Sequence, residues 1–108
     1  MLYTKSLAAA SAVVGVDLLS SETYRIANYP RMIHAIGLTG STAAGDTAVE
    51  LFVGNLRIGE FFNSSTGAPQ ALRDMFNVNA MVGAGEVLVC SVSDAPASNP
   101  IFLTLEID

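Results

Sequence analysis

The chain has 108 residues, of which 51% are hydrophobic and 14% are charged, and its formal net charge is -5. This length suits a single domain, and so apolar a composition excludes an intrinsically disordered protein. The five Lys and Arg residues are scattered, so the sequence offers no basic stripe for nucleic acid or for an anionic membrane.

The chain begins with an apolar, small-residue segment, MLYTKSLAAASAVVGV, and reaches the polar sequence SSET soon after it. The segment has the outline of a secretory signal, but it is too short to span a membrane and Asp17 follows it directly. We interpret residues 1–22 as a retained N-terminal arm. Because an apolar terminus is ordered only when it packs on something, we expect the arm to make intersubunit contacts. Its candidate interface residues are Leu7, Val13, Val14, Val16, Leu18 and Leu19.

Residues 23–108 are predicted to form one domain, in which strand follows strand between turn sequences. The first strand candidate, TYRIANYP, alternates weakly and is closed by Pro30. The second, RMIHAIGLTG, has two largely apolar faces, which indicates a strand covered on both sides. One face is predicted to carry Met32, His34, Ile36 and Leu38, and the other Ile33, Ala35 and Gly37.

The clearest β-hairpin is TAVELFVGNLRIGEFF, in which two alternating runs flank a Gly-Asn pair. A two-residue loop of this kind favours the primed turns, and it sets the register of the two strands. We predict that one face pairs Val53 with Leu56, Leu51 with Ile58, and Val49 with Glu60.

The other face of this hairpin is predicted to place Phe52 opposite Arg57, with Glu50 within reach of the guanidinium. Such a group is typical of a solvated sheet face, and the alternative is a contact with a partner. Phe52 and Arg57 are therefore also candidate interface residues.

The remaining segments continue the β pattern after one interruption. Pro69 is suited to a first helical position, so PQALRDMF predicts a short helical turn. FNVNAMVGAGEVLVCSVSD then predicts a second hairpin about GAGE, and IFLTLEID is the most regular strand of all. At least six strands predict an all-β fold, an antiparallel β-sandwich of jelly-roll-like topology behind the arm. A six-stranded barrel is the alternative.

Few residues suit catalysis or metal binding. One His and one Cys cannot build a zinc site, His34 lies among apolar neighbours, and Cys90 has the surroundings of a buried, inert thiol. We therefore predict that the protein is not an enzyme and has no metal or cofactor. Two alternatives stay open, a Ca²⁺ ion between Asp46 and Asp94 and N-glycosylation of Asn63 in the sequence NSS.

An arm before a run of short strands, small-residue loops such as TGSTAAGD and DAPASNP, and the final strand IFLTLEID resemble the small β-sandwich proteins of virions. These are capsid cement or decoration proteins and minor single jelly-roll subunits. The resemblance implies a structural protein of the outer virion shell. It also implies a homo-oligomer, with a trimer favoured, whose arm reaches onto a larger shell or capsid protein.

Two other functions remain as alternatives. One is a subunit of an extracellular or cell-surface filament assembled by strand addition. The other is a small-ligand or carbohydrate-binding β-sandwich with a pocket lined by Tyr24, Tyr29 or Phe52.

Overall fold

The computed structural model describes residues 2–7, 14–65, 75–96 and 101–108. Over these residues the chain forms two packed antiparallel sheets, which confirms the predicted all-β sandwich. Their strands are β1 (Leu2–Leu7), β2 (Arg31–Gly40), β3 (Ala48–Val53), β4 (Leu56–Phe62), β5 (Phe76–Val82), β6 (Leu88–Asp94) and β7 (Ile101–Ile107). The first sheet has the order β1-β7-β2-β5, and the second has the order β4-β3-β6.

The core lies between the two sheets and is built from alternate residues of their strands, because successive side chains of a strand point to opposite faces. The regular alternation of β7 is confirmed, since Ile101, Leu103, Leu105 and Ile107 are all at most 3% exposed. In β6 the same holds for Leu88, Cys90 and Val92.

The central strand β2 is covered on both faces, as its composition predicts. Ile36 and Leu38 lie in the core between the sheets, and Ala35 and Thr39, on the outer face, are also at most 1% exposed. The predicted division of its faces is wrong at one point. The register shifts between Ile33 and Ala35, which makes His34 an extra residue and brings Ile33 onto the same core face as Ile36 and Leu38.

The β3–β4 hairpin turns at Gly54 and Asn55, and its pairs Val53–Leu56 and Phe52–Arg57 are confirmed. The predicted register is wrong beyond that point, because Leu51 pairs with Gly59 and Val49 with Phe61. The cause is a second register shift, which leaves Ile58 as the extra residue of β4.

Strands β5 and β6 do not form the predicted hairpin. The turn after β5 carries the chain from one sheet to the other, so β5 pairs with β2 and β6 pairs with β3. The turn is fixed by Gly83 N–H, which donates to Glu86 Oε1 at 2.8 Å, and by Gly54 N–H, which donates to Val87 O at 2.8 Å.

The first strand candidate, TYRIANYP, is also wrong, because it contains one turn of 3-10 helix at Thr23–Arg25 and no strand. Residues outside this segment stabilise its conformation. Arg31 Nη1 donates to Tyr24 O, and the Tyr24 ring stacks on Tyr3 with centroids 4.1 Å apart. Most of the predicted helix, residues 69–74, lies outside the described residues. Its last two residues, Met75 and Phe76, are a bend and the start of β5.

Residues 2–7 and 15–18 belong to the sandwich itself. Strand β1 pairs with β7, and residues 15–18 lie along the free edge of β6. The contacts along β6 are backbone hydrogen bonds of 2.8–2.9 Å, from Gly15 N–H to Val92 O, from Val92 N–H to Val16 O and from Leu18 N–H to Cys90 O. Residues 15–18 therefore protect an edge that would otherwise be open.

Candidate functional site

The main candidate surface is a group of three phenylalanines on the side of the sandwich where β4 and β5 end their sheets. The Phe76 ring centroid lies 5.9 Å from those of both Phe61 and Phe62, and its contact with Phe62 is edge-to-face. Phe61 packs against the core, whereas Phe62 is 53% exposed and Phe76 is 36% exposed. We call these three residues the aromatic patch.

The backbone explains the arrangement of the aromatic patch. Phe61 and Phe62 are consecutive in β4, so one ring points into the sandwich and the other points out. Phe76 is the first residue of β5, which brings it to the same side from the other sheet. Sequence patterns missed this group, because its members come from different strands and alternation describes one strand at a time.

The patch has the properties of a contact surface. None of its three side chains carries a charge, and aromatic rings bury about 150–250 Å² each when they are covered. Two exposed rings in contact with each other are therefore a candidate surface for contact with another molecule.

The side chain of Asn63 stabilises the corner where the chain leaves β4 by hydrogen bonds to the backbone of neighbouring segments. Asn63 Oδ1 accepts from Thr47 N–H at 3.0 Å, and Asn63 Nδ2 donates to Gly40 O at 2.9 Å and to Ala43 O at 2.8 Å. Past the corner, Ser64 and Ser65 make backbone hydrogen bonds to β2. Asn63 is 0% exposed, so in the folded chain its amide is not available as an N-glycan acceptor.

A cleft of about 400 Å³ opens on the outer face of the first sheet and is the second candidate surface. Met32 pairs with Met81 across β2 and β5, and both line the cleft together with Tyr29, Pro30 and Asp108. Tyr29 is 58% exposed. Of the three aromatic residues predicted to line a pocket, Tyr29 lines this cleft, and Tyr24 and Phe52 do not.

Ionisable side chains other than Tyr29 also lie in or beside the cleft. Asp108 lines it, and His34 Nε2 lies 3.5 Å from Asp108 Oδ2. Arg31 also borders the cleft, but its side chain shares the core face with Val82, and its Nε and Nη2 atoms are buried without a hydrogen-bond partner. The Nη1 atom of Arg31 donates to Tyr24 O.

The predicted ion pair on the outer face of the second sheet is confirmed. Arg57 Nε donates to Glu50 Oε2 at 2.6 Å, and this hydrogen bond raises the pKa of Arg57. Phe52 lies beside it in a half-buried position, and Glu60 accepts from Ser93 Oγ at 2.6 Å. A partner contact by Phe52 and Arg57 stays a prediction.

The candidate interface residues of the arm are found in different surroundings. Leu18 and Leu19 are 2% and 0% exposed in the core of the chain itself, and Val16 packs against that core. Val14 is 65% exposed, and the Leu7 backbone pairs with Ile101. Val13 lies outside the described residues. Leu18 and Leu19 are thus occupied within the chain, and the intersubunit contact stays a prediction for the others.

The groups considered for chemistry are Cys90, Asp46 and Asp94, each of which has contacts within the chain. Burial raises the pKa of the Cys90 thiol, and nearby Asp17 adds to the effect, so the thiol stays protonated. The Asp46 carboxylate accepts from Ser41 Oγ and Thr42 N–H, and Asp94 contributes its carbonyl to Thr47 Oγ1. Within the part of the chain that the structure describes, no three His, Cys, Asp or Glu side chains lie close enough to hold a metal ion.

Comparisons with known proteins found no match to a family model, to a curated protein or to a solved structure. No helix among the described residues is both long enough and apolar enough to cross a membrane.

Proposed function

We propose that the protein is a structural subunit that stabilises a symmetric assembly, most concretely the outer shell of a virion, as a cement, decoration or minor capsid protein. In this role it binds other copies of itself, as a trimer, and a larger shell protein. The net charge of -5 supports an outer rather than a genome-facing position.

The observation that carries the proposal is the aromatic patch. Covering Phe62 and Phe76 removes apolar surface from water, which is worth about 25 cal/mol per Å² before the cost of association. A pair of exposed, touching rings with no charge among them is suited to packing against a second protein surface.

The strand arrangement adds support. When residues 15–18 are counted as the second of eight positions, the two sheets have the orders 1-8-3-6 and 2-7-4-5. Eight strands in two sheets are the architecture of jelly rolls, which recur in viral capsid proteins. This support is an analogy at the level of the fold, whereas the aromatic patch is a property of this chain.

The test is the mass of the chain in solution by size-exclusion chromatography with light scattering. We expect the wild type to form an oligomer that the double variant Phe62→Ser/Phe76→Ser disrupts. Tyr29→Ser is the matched control, because it removes an equally exposed ring from the cleft instead of from the patch. If Phe62→Ser/Phe76→Ser assembles as the wild type does, the role of the patch is refuted.

A second candidate function is a small-ligand or carbohydrate-binding sandwich, and the cleft beside Tyr29 is the observation that favours it. In that case a sugar or another small ligand would shift the amide resonances of Met32 and Met81, and Tyr29→Ser would abolish the shift. A panel of oligosaccharides that leaves these resonances unmoved would contradict this candidate.

A further inference from the structure

Strand β1 is held at the edge of its sheet through one neighbouring strand. Residues Leu2–Leu7 pair in register with β7, from Leu2 opposite Glu106 to Leu7 opposite Ile101. It is the last strand of the first sheet, so removing it would break no other strand pairing among the described residues. The uncovered β7 would then present a free edge, which binds a further strand readily.

The site that β1 fills is specific in its side chains as well as its backbone. Tyr3 lies opposite Leu105, packs against the core and stacks on Tyr24. Outer-face pairs such as Thr4 with Thr104 alternate with these inward contacts. The β7 edge is therefore complementary to this strand of this chain.

Six residues, 8–13, join β1 to the next described part of the chain. Strand β1 lies in the first sheet, and the next described residues, 14–18, lie along the second. Packed sheets are about 10 Å apart, whereas six residues span up to about 20 Å when extended. The six residues 8–13 can therefore span more than the usual spacing of two packed sheets.

We propose that in the assembly β1 of one copy pairs with β7 of a second copy, so that the subunits exchange their first strands. The inference rests on the proposed function, and it names the partner and the mode of contact. Exchange preserves every β1 contact, including the Tyr3–Tyr24 stack, so its cost is that of association alone. The aromatic patch supplies a separate surface that brings the copies together.

A disulfide between β1 and β7 tests the exchange, because it records which chain supplies the strand. Thr4→Cys/Thr104→Cys places two thiols directly opposite each other. In an antiparallel sheet the Cα atoms of such a pair lie about 5.5 Å apart when the two residues are hydrogen-bonded to each other and about 4.5 Å apart when they are not. Both separations suit a disulfide. The buried Thr104 hydroxyl has no hydrogen-bond partner, so its replacement sacrifices none.

The matched control is Met32→Cys/Met81→Cys, which joins β2 to β5 within one sandwich. Native Cys90 does not interfere, because it is buried and protonated. Where Thr4→Cys/Thr104→Cys does not fold, Leu2→Cys/Glu106→Cys forms the same link two residues along the strands.

The oxidised assemblies are separated on a denaturing, non-reducing gel. We expect the β1–β7 variant to run as covalently joined chains and the β2–β5 control to run as single chains. Assembled protein in which the β1–β7 disulfide closes only within single chains overturns the exchange and leaves the proposed function standing. A wild type that remains a monomer at every concentration overturns both.

Discussion

Replacing Asn63 by Ala tests how the corner after β4 is held. The variant loses three hydrogen bonds, to Thr47 N–H, Gly40 O and Ala43 O, of which the first two are buried. Each bond is worth about 1 kcal/mol net, and a buried partner left unsatisfied costs more. We therefore expect the free energy of unfolding to fall by about 3 kcal/mol or slightly more.

The assay is urea unfolding followed by circular dichroism at one protein concentration. With an m-value of about 1.5 kcal/mol per M, the midpoint of Asn63→Ala should lie about 2 M below that of the wild type. Asn77→Ala is the control, because Asn77 is exposed in β5, and we expect a change within about 0.5 kcal/mol.

A third variant separates the two ends of the amide. Asn63→Asp keeps the oxygen that accepts from Thr47 but no longer donates to the carbonyls of Gly40 and Ala43. We expect it to be at least as destabilised as the Ala variant, because it also buries a charge next to two carbonyl oxygens. A loss below about 1 kcal/mol in both variants would refute the view that this side chain fastens the corner.

Leu19 and Cys90 are buried within the chain, and Tyr24 is partly buried. Leu19→Ala should cost about 2–5 kcal/mol in urea unfolding and Val14→Ala almost nothing, because Leu19 is 0% and Val14 65% exposed; equal losses would contradict this view of residues 14–19. Cys90 should react with a thiol reagent only after denaturation, and fast reaction of the native chain would show that it is accessible. Burial, with Glu22 nearby, raises the pKa of Tyr24 from 10.0 to about 12. The stability that this shift contributes is therefore complete below pH 10 and is lost as the pH rises towards 12. In unfolding measurements at alkaline pH, Tyr24→Phe should lose less stability over this range than the wild type does. An equal loss in both proteins would refute the assignment to Tyr24.

Much of the sandwich is predictable because alternation along a strand reports which residues meet the core. Strand β7 shows this best, since Ile101, Leu103, Leu105 and Ile107 alternate without interruption and all lie in the core. The hairpin turn at Gly54 and Asn55 is also predictable, because few other residue pairs suit it.

The errors have local physical causes that alternation does not reveal. One extra residue in a strand shifts the pairing of all residues beyond it by one position; His34 does this in β2 and Ile58 in β4. The segment remains apolar in sequence, so its pattern does not reveal the shift. A short turn such as the one after Gly83 also has the same sequence signals whether the chain returns in one sheet or crosses to the other.

The candidate site was the least predictable part. Phe52 and Arg57 were found because both lie in one hairpin, whereas the patch joins Phe62 to Phe76 across two sheets. The apolar character of Leu18 and Leu19 predicts an interface as readily as a core, because the sequence alone does not distinguish burial within a chain from burial between chains.

The most direct measurement is the solvent access of Phe62, by fluorine NMR of chain labelled with fluorophenylalanine. The Phe62 signal is assigned with Phe62→Leu and then broadened by a water-soluble paramagnetic agent. We expect strong broadening in dilute protein, where the ring is 53% exposed, and weaker broadening as rising concentration brings a second chain over the patch. Equal broadening of the Phe62 signal at every concentration, including samples in which the protein has assembled, would contradict a role of the patch in assembly.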